Sequence, residues 1–433
     1  MIVNRPARIR ATIRVPSDKS ISHRALILNS IASGKATVES LLESDDVRST
    51  AACLVAMGAR IDWPEDSGTA VIDGLGLHGL FEPGDVLNCG NSGTTMRILT
   101  GLLAGNQFLS VLSGDDSLRQ RPMARVIRPM REMGATIFAR TGDTLAPIVI
   151  KGGGIRGMTY ESPVASAQVK SAVLMAGLFA EGETVVVEPA ATRDHTELML
   201  KAMGADIDCT GNSVTLTPPG RLAALGMRVP GDISSAAPWL VLGACHPDAE
   251  IRIENVNINP TRTGILDVLH AMHANVELGE QRMVGGEPAA DIVVRSSSLQ
   301  ATRVGGDLIP RAIDELPLLA LLGACAEGET VVADAAELRV KESDRIETMA
   351  TALRPMGLQV VERPDGFSVQ GRVPLAGHRI DARGDHRMGM LAAVAGALAS
   401  GETQIENDAV TVSYPGFWQD LAMASSGDAT FAR

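Results

Sequence analysis

The chain has 433 residues and a mass of 45.4 kDa, long enough for two domains with a substantial core each and too long for one small module. Hydrophobic residues at 45% and charged residues at 21% describe an ordinary globular protein rather than a disordered or fibrous one. A formal charge of −12 with only seven Phe, three Trp and two Tyr argues against nucleic acid or a membrane surface as partner, and 44 glycines predict a closely packed core of small aliphatic side chains.

Read from the N-terminus, the chain repeats itself. A first strand is predicted over residues 11–15. Residues 28–61 then run from an apolar helix end through a small-residue turn and a β-branched strand into an amphipathic helix ending in Met-Gly-Ala. Residues 99–137, 174–207, 240–278 and 319–360 follow the same scheme, and a sixth, worn copy begins at Val394. The starts are roughly 65 to 80 residues apart, longer than a solenoid unit, so each copy is expected to be a small sheet-and-helix module. Alternating stretches at 148–150, 214–217 and 292–294 predict further strands, and Gly152 to Gly154 read as a flexible connection.

Each copy is preceded by a polar turn that opens a helix of small apolar residues: PSDKS at 16–20, CGNSGT at 89–94, PVASAQ at 163–168, PGDISS at 230–235, IPRAID at 309–314 and ARGDHR at 382–387. Six βαβαββ-like units divide into two domains of three, with the break expected within 225–231. A hinge there leaves an interdomain cleft, the usual place for a substrate site. Periodicity alone leaves the first strand assignable to either domain.

Helix N-termini offer unpaired N–H groups and a partial positive charge, so the six turns are potential anion sites, although capping alone explains most such turns. Cations raise the functional reading: Lys19, Arg24, Arg97, Arg119, Arg121, Arg193, Arg262, Lys341, Arg345 and Arg387 all lie in or beside these turns or the repeats' second helices. They predict a cleft holding more than one phosphate or carboxylate. From the residues alone, Asp314 reads as the N-cap of an apolar helix over 316–326, and Glu342 as a solvated ion pair.

His23, His195 and His386 each sit near an Arg without metal-ligand spacing, so no metal is expected. Cys53, Cys89, Cys209, Cys245 and Cys325 form no C-x-x-C pair and are expected reduced and buried, Cys89 as a core thiol rather than a nucleophile. No phosphate-binding loop or dinucleotide fingerprint occurs, so no nucleotide cofactor is expected. The first twenty residues carry scattered charges without an apolar run, and the longest apolar runs are too short to span a bilayer; a cytoplasmic protein is expected.

The stretches SDKSISHRALIL, CGNSGTTMRIL, RPM, SAQVKSA, IDELP, RVKESDR and DHRM resemble, in order and over essentially the whole chain, those of the enolpyruvylshikimate-phosphate synthases. The resemblance implies an α/β enolpyruvyl transferase fold of two domains, each of three βαβαββ repeats, closing on a cleft. It assigns the N-terminal strand to the second domain, giving 17–228 for the first and 1–16 with 229–433 for the second. It implies transfer of the enolpyruvyl group of phosphoenolpyruvate to the 5-hydroxyl of shikimate 3-phosphate with release of phosphate, on the route to aromatic amino acids. No cofactor is implied, and a monomer is expected.

Position by position, the resemblance makes Lys19, Ser20 and Arg24 contacts to the substrates, with Lys19 near both. Ser166, Ala167, Gln168 and Arg193 stand at phosphate- or ring-binding positions, Ala167 replacing a serine frequent there, and Lys341 at a further shikimate-phosphate contact. Asn91, Gly93, Arg121, Arg345, His386 and Arg387 match the phosphoenolpyruvate region. Asp314 and Glu342 match the catalytic carboxylates, which replaces the cap and ion-pair readings. Glu342 is expected to protonate the methylene carbon, Asp314 to take the hydroxyl proton, and Lys19 to serve the departing phosphate.

SDKS, SAQVK, RDHTE and NPTR resemble the family's second class, often tolerant of the inhibitor glyphosate, and Val412 stands where many members have lysine. Gly93 keeps the small residue associated with sensitivity, while Ile98 replaces a frequent proline; partial tolerance is expected. The rival readings are an enolpyruvyl transferase acting on UDP-N-acetylglucosamine, a catalytically silent six-repeat scaffold and, third, a nucleic-acid binder.

Overall fold

The computed structural model describes residues 1–426, so the last part of the expected second domain, 427–433, lies outside the described residues. The described chain forms two compact units. One comprises residues 17–229 and 283–287, the other residues 1–16, 230–282 and the described residues from 288 onward.

The unit of residues 17–229 holds three four-stranded sheets of one design. In each, a short edge strand runs parallel to the second strand, and the remaining two follow antiparallel: Leu87–Asn88, Leu109–Ser113, Leu145–Lys151 and Thr136–Ala139 form the second repeat's sheet. Thr159–Glu161, Thr184–Val187, Ser213–Leu216 and Ile207–Thr210 form the third. The first repeat's sheet takes its parallel edge strand from far along the chain, Met227–Arg228 beside Ser33–Glu39.

The reason lies in the N-terminal strand. Ile9–Ile13 runs parallel to Ala249–Asn257 in the fourth repeat's sheet, with Ile9, Ala11 and Ile13 buried and Arg10 exposed. It begins and ends two residues before the predicted strand, because its register starts at the Ile9 N–H bond to the Asp248 carbonyl and Pro16 offers no N–H to extend it. Repeats one and four have therefore exchanged first strands. In the sixth repeat Arg379–Asp381 pairs in parallel with Thr403–Glu406, and the N-terminal Ile2–Val3 completes the sheet in antiparallel register.

Each unit has its own apolar core. In the first, the helices Lys19–Ser30, Gly93–Gly105 and Ala167–Gly177 are buried on nearly every face, which small residues permit. A Cβ at Gly101 would lie 2.1 Å from the Ala172 carbonyl oxygen, so two helix backbones touch where an aromatic side chain would hold them apart. The glycine-rich, aromatic-poor composition is the price of this close packing.

Gly152 is no flexible connector. Its Cβ would come 2.1 Å from the Leu103 carbonyl oxygen, so the end of one strand lies against a helix C-terminus with no room for a side chain. The fifth turn also differs from expectation. IPRAID falls within and just after a short helix, Leu308–Ala312; the apolar segment then begins as a 3₁₀ turn, Leu316–Leu318, with Pro317 in its first positions, before Leu319–Cys325. Asp314 lies between them and caps neither, so its carboxylate is available to other partners. Of the cysteines, Cys89 is buried and hydrogen bonding with Cys53 together with burial pushes its thiol well above the ordinary range, whereas Cys209 is exposed on an edge strand and Cys245 and Cys325 are half-buried.

Candidate active site

In the first unit, three of the six expected anion sites are brought into one connected set. Asp18 caps the helix Lys19–Ser30 by accepting from the Ile21 N–H, which exposes Lys19 and Ser20 at its first turn. Lys19 Nζ lies 3.1 Å from Asp46 Oδ2, on the first turn of the helix Asp45–Ala56. Burial raises the Asp46 carboxyl, but the charge and hydrogen bond of Lys19 outweigh it and hold the group below its usual range. The Asp46 carbonyl in turn accepts from Thr95, on the helix opened by CGNSGT.

Ser92 caps that helix, leaving Gly93 at its first position between two arginines: a Cβ there would stand 2.8 Å from Arg97 Nη1 and 3.6 Å from Arg121 Nη1. Arg121 donates to Asn91 Oδ1 at 2.6 Å, and Asn91 donates to Asp115. Arg97 donates to Gln168 Oε1 at 2.7 Å, and Gln168 donates to Thr94. Ser166 is the N-cap of the helix Ala167–Gly177 without its side chain being used as a cap, and it and Ala167 are half-buried beside Gln168.

Arg24 is almost fully buried. Its guanidinium donates to Thr196 Oγ1 at 2.7 Å, Ser171 Oγ at 2.6 Å and the Ser20 carbonyl at 2.9 Å. Burial lowers its pKa to about 10, opposed by the Glu197 and Asp18 carboxylates and reinforced by the charge of Arg193, so it remains a cation. His23 is also buried, its Nδ1 2.7 Å from Thr50 Oγ1, and burial holds its pKa at about 3; it is a neutral core imidazole.

In the second unit, one buried guanidinium organises the site. Arg345, at the start of the helix Arg345–Leu353, donates through Nη2 to Glu342 at 2.6 Å, through Nη1 to Asp314 at 3.2 Å and through Nε to Asp385 at 3.0 Å. Burial acts against its charge, but the three carboxylates prevail and push its pKa further up. Arg387 Nη2 and Arg262 Nη1 approach Asp314 at 3.8 and 3.9 Å. Asp385 caps the helix His386–Leu398, accepting from the Arg387 N–H, and also accepts from Ser343.

Burial raises the Glu342 carboxyl, yet Arg345 and then His386 overcome it and bring the pKa down to about 2. Lys341 is partly exposed beside it, its Nζ 3.9 Å from Glu337. Asp314 and Arg387, with Ser234, Pro238, Pro317 and Leu318, line a shallow recess. The arrangement provides two carboxylates bonded to one cation, next to further cations suited to an anionic substrate.

The expected residues thus fall into two sets, Lys19, Ser20, Arg24, Asn91, Gly93, Arg121, Ser166, Ala167, Gln168 and Arg193 in one unit and Asp314, Lys341, Glu342, Arg345, His386 and Arg387 in the other. Sequence reasoning missed the carboxylates that hold them, Asp46 and Asp385. Both stood in view, one in the first turn of an amphipathic helix and one in a capping turn, but their sequence context reads as ordinary helix-start chemistry.

The profile of the family described as EPSP synthase (3-phosphoshikimate 1-carboxyvinyltransferase) matches residues 3–421. The 3-phosphoshikimate 1-carboxyvinyltransferases of Synechococcus elongatus (strain ATCC 33912 / PCC 7942 / FACHB-805) and Synechococcus sp. (strain RCC307) are 54% and 52% identical to this chain, covering 94% and 96% of it and 92% and 96% of their own lengths. A solved EPSP synthase from Acinetobacter baumannii shares 42% identity with a TM-score of 0.90, each chain 98% covered. The enolpyruvyl transferase NikO from Streptomyces tendae shares the fold at 18% identity, TM-score 0.77, with 97% of this chain and 96% of that one covered. With motifs, repeat architecture and near-full-length identity in agreement, the chain belongs to the EPSP synthase family.

Proposed function

We propose that the chain transfers the enolpyruvyl group of phosphoenolpyruvate to the 5-hydroxyl of shikimate 3-phosphate and releases inorganic phosphate. The observation that carries the reading is the placement of Asp314 and Glu342 on one buried guanidinium, Arg345. Addition requires a proton at the methylene carbon of phosphoenolpyruvate and attack of the acceptor oxygen at its central carbon. Glu342 supplies that proton and Asp314 takes the proton of the attacking hydroxyl, giving a tetrahedral adduct. Elimination then returns a proton from the former methylene and expels phosphate, with Lys19 serving the leaving group.

The geometry states a condition for the acid step. Paired with Arg345, Glu342 is a carboxylate at neutral pH. A substrate carboxylate or phosphate drawn to Arg345 competes for that cation and raises the proton affinity of Glu342, so substrate binding arms the acid. Arg121 and Arg387 are assigned to the phosphoenolpyruvate anion, and Ser20, Arg24, Ser166, Gln168, Arg193 and Lys341 to shikimate 3-phosphate. Orientation by these cations converts a bimolecular encounter into an in-line reaction.

The reaction as written uses no metal, cofactor or covalent enzyme intermediate. Glyphosate is assigned to the phosphoenolpyruvate position, where Gly93 limits the space, with partial tolerance. No helix among the described residues is long and apolar enough to cross a membrane. A cytoplasmic monomer without a nucleic-acid partner is part of the proposal; the free cysteines fit a reducing compartment and the formal charge of −12 opposes a polyanion. Phosphorus NMR of a mixture of both substrates tests the reading: the expected result is conversion to the enolpyruvyl ether with one equivalent of phosphate, and an unchanged spectrum would contradict it.

A further inference from the structure

A second charged cluster in the first unit takes no part in the chemistry above. Lys170, on the helix Ala167–Gly177, is 3% exposed, and its ammonium meets Glu188 Oε2 at 2.7 Å, Glu197 Oε1 at 2.8 Å and the Thr192 carbonyl at 3.3 Å. The ammonium donates to the Thr192 carbonyl and is ion-paired with both carboxylates. Both carboxylates are 3% exposed, so none of the three charges is solvated and each depends on the others.

The sequence neighbours of this triad hold the substrate arginines. Ser171 follows Lys170 and Thr196 precedes Glu197; their hydroxyls lie 2.8 Å apart and both accept from Arg24. Lys170 and Glu197 therefore pin together the two helices whose hydroxyls cradle Arg24. Glu188 and Thr192 bracket the segment leading to Arg193: the Thr192 hydroxyl donates to Glu188, and the Thr192 carbonyl accepts from Lys170. Glu197 also offsets the mutual repulsion of Arg24 and Arg193.

We propose that Lys170, Glu188 and Glu197 form a buried positioning triad that sets Arg24 and Arg193 for the anionic acceptor substrate. The inference rests on the reaction proposed above. It deepens that reading by separating the two substrates: the triad governs recognition of shikimate 3-phosphate and leaves phosphoenolpyruvate untouched.

The test uses Thr192→Val, which frees the Arg193 segment without burying an unpaired charge, and Glu197→Gln, which leaves the Lys170–Glu188 pair intact. Steady-state constants for both substrates are combined with hydrogen exchange over residues 188–197. The expected result is a KM for shikimate 3-phosphate raised on the order of tenfold, with kcat and the KM for phosphoenolpyruvate within about threefold of the parent, a selectivity that loss of one positioning contact produces. Exchange over 188–197 accelerates while the remaining helices of the unit keep their protection. Folded variants with an unchanged shikimate 3-phosphate KM, or with both KM values raised alike, overturn the triad's role while the reaction stands. A parent enzyme inactive on shikimate 3-phosphate overturns the reaction and this inference with it.

Discussion

Arg345 Nη2 and Glu342 Oε2 lie 2.6 Å apart, in a pair separated by one turn of chain, and this contact keeps ionised the carboxyl that is proposed to deliver a proton. Its folded pKa of about 2 lies below the ordinary 4.5, so the stability it contributes is fully present above pH 4.5 and is lost as pH falls from there toward 2. Glu342→Gln is expected to lower stability above pH 5 and to flatten its loss between pH 4.5 and 2. Thermal melts of parent and variant at several pH values check this. Parallel acid limbs would contradict the pair's contribution.

Catalytic assignment makes a separate demand. Asp314→Asn and Glu342→Gln preserve shape and hydrogen bonding but remove the titratable proton. Each is expected to lower kcat by about 10² to 10⁴, the range for loss of a general acid or base, with KM changed far less. Single-turnover rates distinguish this from slowed product release, and near-parent turnover in either variant would withdraw that residue's role.

Space at Gly93 sets a third expectation. A Cβ there lies 2.8 Å from Arg97 Nη1, whose guanidinium also holds Gln168, so the added methyl displaces a side chain at the site. Gly93→Ala is expected to raise the KM for phosphoenolpyruvate several-fold and the glyphosate inhibition constant by more, glyphosate being the longer ligand. Alanine favours a helix over glycine by about 1 kcal/mol, so the melting temperature is not expected to fall. Unchanged inhibition would remove Gly93 from the glyphosate position.

His23 provides an internal pH reporter that takes no part in the proposed reaction. Its folded pKa of about 3 against the ordinary 6.5 means that the unfolded chain takes up the proton first, so stability falls as pH drops below 6.5. The slope is about 1.4 kcal/mol per pH unit, giving a loss of about 2 kcal/mol at pH 5 relative to His23→Gln. Denaturant titrations at pH 7, 6 and 5 measure it, and equal losses in parent and variant would show that the imidazole is solvated.

What the sequence made legible follows from what local chemistry encodes. Caps such as Asp18, Ser92, Asp232 and Asp385 act within a few residues, and five of the six expected helix starts are found where the turns placed them. The exchange of Ile9–Ile13 with Met227–Arg228 was not legible, because a strand's periodicity says which face is buried and not which sheet receives it. Asp314 read as a cap since Arg345 is 31 residues away in sequence, and only the resemblance assigned it a catalytic role. Asp46, Asp385 and the Lys170 triad escaped for the same reason. Their meaning lies in pairs that folding creates.

Phosphate release from phosphoenolpyruvate, measured with shikimate 3-phosphate or UDP-N-acetylglucosamine as acceptor and with chelator added to one set, tests the central claim most directly. The account predicts release with shikimate 3-phosphate alone, undiminished by chelator. Release only with the nucleotide sugar, or with neither acceptor, would contradict it.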